Sequence, residues 1–202
     1  MPRDIDDKEA FKSISMKQEE YCYQMYISSL NTERMLTRWM VDGLALEKLT
    51  AEVLNELGID NINNWNKGLE IYPKVREKGV DIITGFRETE TELLKPWVKI
   101  RDKQGLIECK NWKKRKTLSK KDFEKEILER FKSTEEFLRE NYDNLVISRI
   151  VVIGVNCLPK SLVEQHNIHV IELGSKLNND NANTLKEILR KEFRRLIDEG
   201  VI

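Results

Sequence analysis

The chain has 202 residues, 35% of them charged, with a formal net charge of zero. That length suits about one domain with an appendage and is enough to bury a core, while the balanced charge neither selects nor excludes a nucleic-acid partner. The longest wholly apolar run, 150–155, falls far short of the ~20 residues of a membrane-spanning helix, and the N-terminus carries no signal-peptide core, so an intracellular, cytoplasmic protein with no membrane partner is expected.

Residues 6–31 set Phe11, Ile14, Tyr21, Cys22, Met25, Tyr26 and Leu30 among Lys, Gln and Glu. The pattern predicts a helix whose broad apolar face packs on the domain or on a second copy of the chain. A second helix is predicted over 32–57, with Leu46, Leu49, Val53 and Leu57 on one stripe, Gly58 as its stop and a break near Asp42 and Gly43. Runs 69–75 and 80–86 read as a hairpin turning through Arg76-Glu77-Lys78-Gly79, and 106–110 reads as a third strand. Residues 97–101 fit either an extra strand or an ordered loop. Residues 118–141 are helical, with Phe123, Ile127, Phe131 and Leu138 on the apolar stripe and Thr117 or Ser119 as cap. A buried strand at 150–155, a short helix at 159–166, a strand at 169–173 and a terminal helix at 183–199 follow. This alternation predicts an α/β fold, a central mixed sheet flanked by helices on both faces, with an N-terminal helical extension at 1–38 and one domain at 39–202.

The chemistry concentrates at Gly105-Leu106-Ile107-Glu108-Cys109-Lys110. Side chains alternate along a strand, so Glu108 and Lys110 share a face with Cα atoms roughly 7 Å apart, while Cys109 points the other way. Two charges on one face of an apolar strand call for a polar occupant, and a metal-dependent phosphodiester site is one that uses both signs. An acidic-x-Lys triplet occurs at one other place, Asp6-Asp7-Lys8 in the polar N-terminus. Downstream, Lys110, Trp112, Lys113, Lys114, Arg115, Lys116, Lys120 and Lys121 form a stretch without an acid. Clustered cations meet phosphates, and an interleaved Trp stacks on bases. Lys74, Arg76 and Lys78 on the hairpin are further DNA-contact candidates, whereas Arg190, Lys191, Arg194 and Arg195 suit the solvated face of a helix. The three cysteines, Cys22, Cys109 and Cys157, lack disulfide or zinc spacing, and His166 and His169 have no partners to complete a zinc shell. No phosphate-binding glycine loop is present, so no nucleotide cofactor is expected.

From Gly43 to Leu177 the chain resembles the PD-(D/E)XK, or restriction-endonuclease-like, nuclease superfamily. Gly43-Leu44-Ala45-Leu46-Glu47 is similar to its first core helix, Val80-Asp81-Ile82 to its acidic strand, and Ile107-Glu108-Cys109-Lys110 to its E-x-K strand; Val80 replaces the signature Pro. Archaeal Holliday-junction resolvases and methylated-DNA restriction enzymes are the nearest flavours, and small stand-alone members occur in archaeal viruses. The resemblance implies a DNA endonuclease dependent on Mg²⁺ or Mn²⁺. Asp81 and Glu108 would be the principal ligands, helped by the backbone carbonyl of Cys109. Lys110 would act on the attacking water, and Glu47 would hold a water or a second metal. It also implies DNA, branched or duplex, as partner, with a homodimer supplying two cuts. The alternatives are a restriction-type or general DNA-processing nuclease, and a non-catalytic DNA-binding protein on the same fold.

Overall fold

The computed structural model describes residues 38–63, 79–88, 97–99, 101–113 and 116–202. The helix expected over 6–31 and the first hairpin strand expected over 69–75 lie outside them. Two units divide the chain, Met1–Ala45 and Leu46–Ile202. The first is described from Arg38 onward, as the opening turns of helix α1 (Arg38–Glu56); the second contains the sheet.

Helix α1 is continuous through Asp42 and Gly43, so the expected break is absent. One interior glycine costs only about 1 kcal/mol against Ala, which a long helix tolerates. Gly58 stops it as expected, at φ 72°, the left-handed conformation that glycine adopts freely. A short strand β1 (Asn61–Asn63) follows; its polar Asn-Ile-Asn sequence gives no strand signal. The run 80–86 then divides. Strand β2 (Ile82–Thr84) ends at Gly85, whose φ of 79° redirects the chain into β3 (Phe86–Glu88). Strand β4 (Trp97–Lys99) pairs antiparallel with β3 in a separate two-stranded sheet, which resolves 97–99 as strand.

Strand β5 (Lys103–Lys110) is the centre of the main sheet. Helix α2 follows as one segment, an α-turn at Lys120–Phe123, a π-turn at Glu124–Leu128 and an α-helix at Glu129–Asn141. Ser119 caps it, its Oγ accepting the Asp122 N–H at 3.2 Å. Strand β6 (Val146–Ile153), the short helix α3 (Lys160–Gln165), strand β7 (Ile168–Glu172) and helix α4 (Ala182–Asp198) complete the order. The main sheet has five strands in the order β1-β2-β5-β6-β7, antiparallel from β1 to β5 and parallel from β5 to β7. The fold is therefore α/β, a mixed sheet flanked by helices. β5 and β6 both start earlier than their apolar runs. Their parallel ladder opens at Lys103 opposite Val146 and carries Gln104, Ser148 and Arg149, beyond which β6 is wholly apolar while β5 still carries Glu108 and Lys110.

Alternation divides the two faces of β5. Leu106 lies in a cluster with Ile83 of β2, Val151 and Ile153 of β6, and Phe123, Ile127, Phe131 and Leu138 of α2. The opposite face carries Ile107 and Cys109; the Cys109 thiol donates to Thr50 Oγ1 of α1 across 3.7 Å. Helix α4 is tied to α1 by Glu56, which meets Lys186 at 2.6 Å and Arg190 at 2.6 Å. Arg190 also pairs with Glu187, and Arg195 with Glu192 and Glu199, so Arg195 lies on the exposed helix face as expected, whereas Arg190 is half-buried between the two helices.

The end of β5 is fixed by close packing. The Lys110 carbonyl accepts from Trp112 N at 2.7 Å and Gly154 N at 2.9 Å. The Asn111 amide brackets Leu177, accepting from its N–H at 2.7 Å and donating to its carbonyl at 3.4 Å. A Cβ at Gly154 would meet the Trp112 carbonyl at 2.7 Å and the Ser175 carbonyl at 3.1 Å, and backbone atoms cannot rotate away. Gly154→Ala is expected to destabilise the protein by about 1–3 kcal/mol, read as a lower urea midpoint. An unchanged midpoint would show that the two loops give way freely.

Candidate active site

The β2–β5 register builds the site. Ile82 faces Ile107 and Ile83 faces Leu106, and just beyond this pairing Asp81 and Glu108 both lie near Arg130 of α2. Asp81 N still donates to the Ile107 carbonyl at 3.1 Å. At the next position a side chain takes over from the backbone, and Asp81 Oδ2 accepts the Cys109 N–H at 2.7 Å. A residue's N–H and C=O leave an extended strand on the same side, so the Cys109 carbonyl also points toward the Asp81 edge. Three oxygen donors, on Asp81, Glu108 and the Cys109 backbone, thus lie around one end of the β2–β5 pair.

Two cations close the group. Lys110 Nζ lies 2.6 Å from Glu108 Oε1 and 5.6 Å from the centre of the Trp112 ring, which is half-buried against the core. The second, Arg130, carries no signal in the motif. Its Nε is 3.3 Å from Glu108 Oε1 and its Nη1 3.9 Å from Asp81 Oδ1. Nη1 also donates to the Gly79 carbonyl at 3.1 Å. One turn on, buried Thr134 accepts the Val80 N–H at 3.1 Å and donates to the Arg130 carbonyl at 3.0 Å. Helix α2 therefore holds Gly79 and Val80, the two residues that lead into Asp81. The available clue was spacing, since Arg130 and Thr134 interrupt the stripe of Ile127, Phe131 and Leu138 with polar groups.

The Glu108 side chain is fully buried and that of Asp81 is 10% exposed. Both carboxyls have raised pKa values. Burial is the larger cause for each, opposed by Lys110 and Arg130; the Asp81 charge adds to the rise at Glu108, which is pushed up to about 8. The Cys109 N–H works the other way at Asp81. Lys110 and Arg130 meet Glu108 at Oε1 as ion pairs, and Glu108 Oε2 has no hydrogen-bond partner. A buried carboxylate oxygen without a partner is costly to the fold.

The donors suit a hard cation. Among the described residues no three His, Cys, Asp or Glu side chains converge as a metal group. Two carboxylates with a carbonyl are nonetheless what Mg²⁺ commonly takes, because it keeps several of its waters. Glu47, one turn before Thr50 on α1, lies close enough to β5 that its charge, after burial and Asp81, helps push the Cys109 thiol pKa up. Of the cationic stretch, Lys113, Lys116, Lys120 and Lys121 are exposed, with Lys120 3.9 Å from Glu124. Lys74, Arg76, Lys78, Lys114 and Arg115 lie outside the described residues. Cys109 and Cys157 are buried and are not joined in a disulfide, and no described helix is long and apolar enough to cross a membrane.

Compared with known proteins, the chain matches no protein-family model, no curated protein and no solved structure.

The raised carboxyl pKa values set a sign for pH dependence. The folded protein holds these protons more tightly than the unfolded chain, where the Glu value is 4.5. Stability from Glu108 is therefore full below that value and falls as pH rises to about 8, by up to about 1.4 kcal/mol per pH unit. Glu108→Gln, which mimics the protonated form, should lose less stability in urea titrations between about pH 5 and pH 8.5. Equal losses in the two proteins would contradict the assignment.

Proposed function

We propose that the protein is a divalent-metal-dependent DNA endonuclease on a restriction-endonuclease-like core, structure-specific in the manner of junction resolvases. The observation that carries this reading is the convergence of Asp81, Glu108 and the Cys109 carbonyl at the one point where β2 and β5 part, with the unpartnered Glu108 Oε2 among them. Asp81, Glu108 and the Cys109 carbonyl are the groups that would hold Mg²⁺ or Mn²⁺. Bound there, such an ion supplies Lewis acidity toward a phosphoryl oxygen and a water of lowered pKa.

The chain's own residues do the rest. Lys110 shares the face of Glu108 and is 11% exposed, so its ammonium sits at the border between the buried carboxylate and the outside. From there it orients a water for in-line attack on a phosphodiester and steadies the charge that develops on the phosphate. Trp112 beneath it limits its freedom. The exposed Lys113, Lys116, Lys120 and Lys121 follow directly in sequence and provide sequence-independent phosphate contacts. Two copies of the chain related by two-fold symmetry would give the paired cuts that a junction or duplex requires.

The test is cleavage of a labelled four-way junction, a matched linear duplex and single-stranded DNA, with Mg²⁺, Mn²⁺ or EDTA. Metal-dependent cutting is expected, abolished by Asp81→Ala and lowered about 10²–10³-fold by Lys110→Ala. The preferred DNA distinguishes junction resolution from restriction-type or general processing. Binding to DNA that survives Asp81→Ala, with no cutting under any metal, would favour the non-catalytic alternative.

A further inference from the structure

Building on the endonuclease reading, we propose that Arg130 is a built-in counter-cation that an incoming divalent ion displaces, and that the released guanidinium takes hold of a DNA phosphate. Metal and DNA would then each strengthen the binding of the other.

The first support is position. Among the described residues Arg130 is the cation in ion-pair range of both carboxylates, with Nε 3.3 Å from Glu108 Oε1 and Nη1 3.9 Å from Asp81 Oδ1, while Lys110 pairs with Glu108 and acts on Asp81 through its charge. A divalent ion bridging those carboxylates must compete for the same negative charge. With both ionised, as coordination requires, two negative groups face two positive ones, Lys110 and Arg130. The net local field then gives a divalent cation little attraction until a positive group leaves. Arg130 is the group placed to leave. Its side chain is 33% exposed, against 11% for Lys110, so it stands at the mouth while the carboxylates lie behind it. A guanidinium turned outward meets phosphate as readily as carboxylate, with its planar fork of donors.

The second support is the orphan. A purely structural ion-pair network would satisfy both Glu108 oxygens, since a half-satisfied buried carboxylate costs stability. Here both cations crowd Oε1, and Oε2 has no partner. The third is the helix itself. The π-turn Glu124–Leu128 ends just before Arg130, and π-turns recur where a helix aims a side chain into a functional site. Thermodynamic reciprocity supplies the consequence: if metal releases Arg130 to phosphate, phosphate must release the carboxylates to metal by the same factor.

The experiment is Mn²⁺ binding to the DNA-free protein, followed by the electron paramagnetic resonance signal of free Mn²⁺ at a pH above the Glu108 titration. Wild type is compared with Arg130→Gln, Arg130→Met and Arg130→Lys, and thermal melts verify folding. The neutral variants should bind Mn²⁺ more tightly by about tenfold or more, and Arg130→Lys should stay near wild type. The affinity for a fluorescent duplex, measured with Ca²⁺ and with EDTA, should rise with Ca²⁺ in wild type and rise less in the neutral variants. Mn²⁺ bound by wild type but no tighter in either folded neutral variant would overturn the exchange and leave the endonuclease reading standing. No Mn²⁺ bound by any of the four, or binding unaffected by Asp81→Ala, would overturn both. Two neutral variants guard against one failing to fold, and an equal Ca²⁺ gain in all proteins would also overturn the proposal.

Discussion

The hydrogen bond from the Cys109 amide to Asp81 Oδ2, at 2.7 Å, is the interaction on which the rest of the site depends. In an uninterrupted antiparallel ladder that amide would meet a carbonyl of the neighbouring strand. A side-chain acceptor keeps the amide satisfied, as a buried backbone donor requires, while the two strands separate. Separation leaves the Cys109 carbonyl on the same edge and sets the Asp81 carboxylate, like that of Glu108, near Arg130. One substitution of a side chain for a backbone acceptor therefore ends the sheet, orients a carboxylate and frees a carbonyl. Helix α2 stabilises the arrangement from behind, through Arg130 on the Gly79 carbonyl and Thr134 on the Val80 amide.

That arrangement conflicts with folding alone. Burying Glu108 and Asp81 next to each other raises both carboxyl pKa values, and the two nearby cations offset the cost only in part. An apolar pair of the same size would pack better at the end of β5. Local rules broken where no packing gain follows are what functional sites look like in an otherwise consistent fold. Elsewhere in the same sheet consistency is high: Ile150, Val151, Val152 and Ile153 are all fully buried, and β6 pairs with β5 and with β7 in an unshifted parallel register on each side.

Much of this was legible in the sequence, for a physical reason that differs by element. Strict alternation placed Glu108 and Lys110 on one face and Cys109 on the other, because the period of a strand leaves no choice. The second half was legible because long apolar periods and Gly or Pro punctuation mark helices and buried strands. Asn61-Ile62-Asn63 escaped because three residues with polar ends carry no period, and their strand exists only through pairing with β2. The run 80–86 misled because Gly85 hides a change of sheet inside a continuous apolar stretch. The unbroken course of α1 at Gly43 is propensity overridden by helix length. Arg130 escaped because helical faces are full of arginines, and only the tertiary fold distinguishes one that turns inward at the apolar stripe from one that turns out.

The strand that gathers the oxygens also keeps sulfur away from them. Cys109 lies between Glu108 and Lys110 in sequence, yet alternation sends its thiol to the α1 face, where it donates to Thr50 Oγ1. Burial, with Asp81 and Glu47 nearby, holds that thiol's pKa well above its usual value, so it stays protonated and is a poor ligand. A thiolate beside two carboxylates would favour Zn²⁺ and other soft or borderline ions, which bind such mixed sets more tightly than Mg²⁺ does. What the same residue contributes to the site is its carbonyl, a hard donor. The backbone geometry of one residue thus keeps this end of β5 a set of oxygens by two routes, through the carbonyl it turns toward Asp81 and the sulfur it turns toward Thr50.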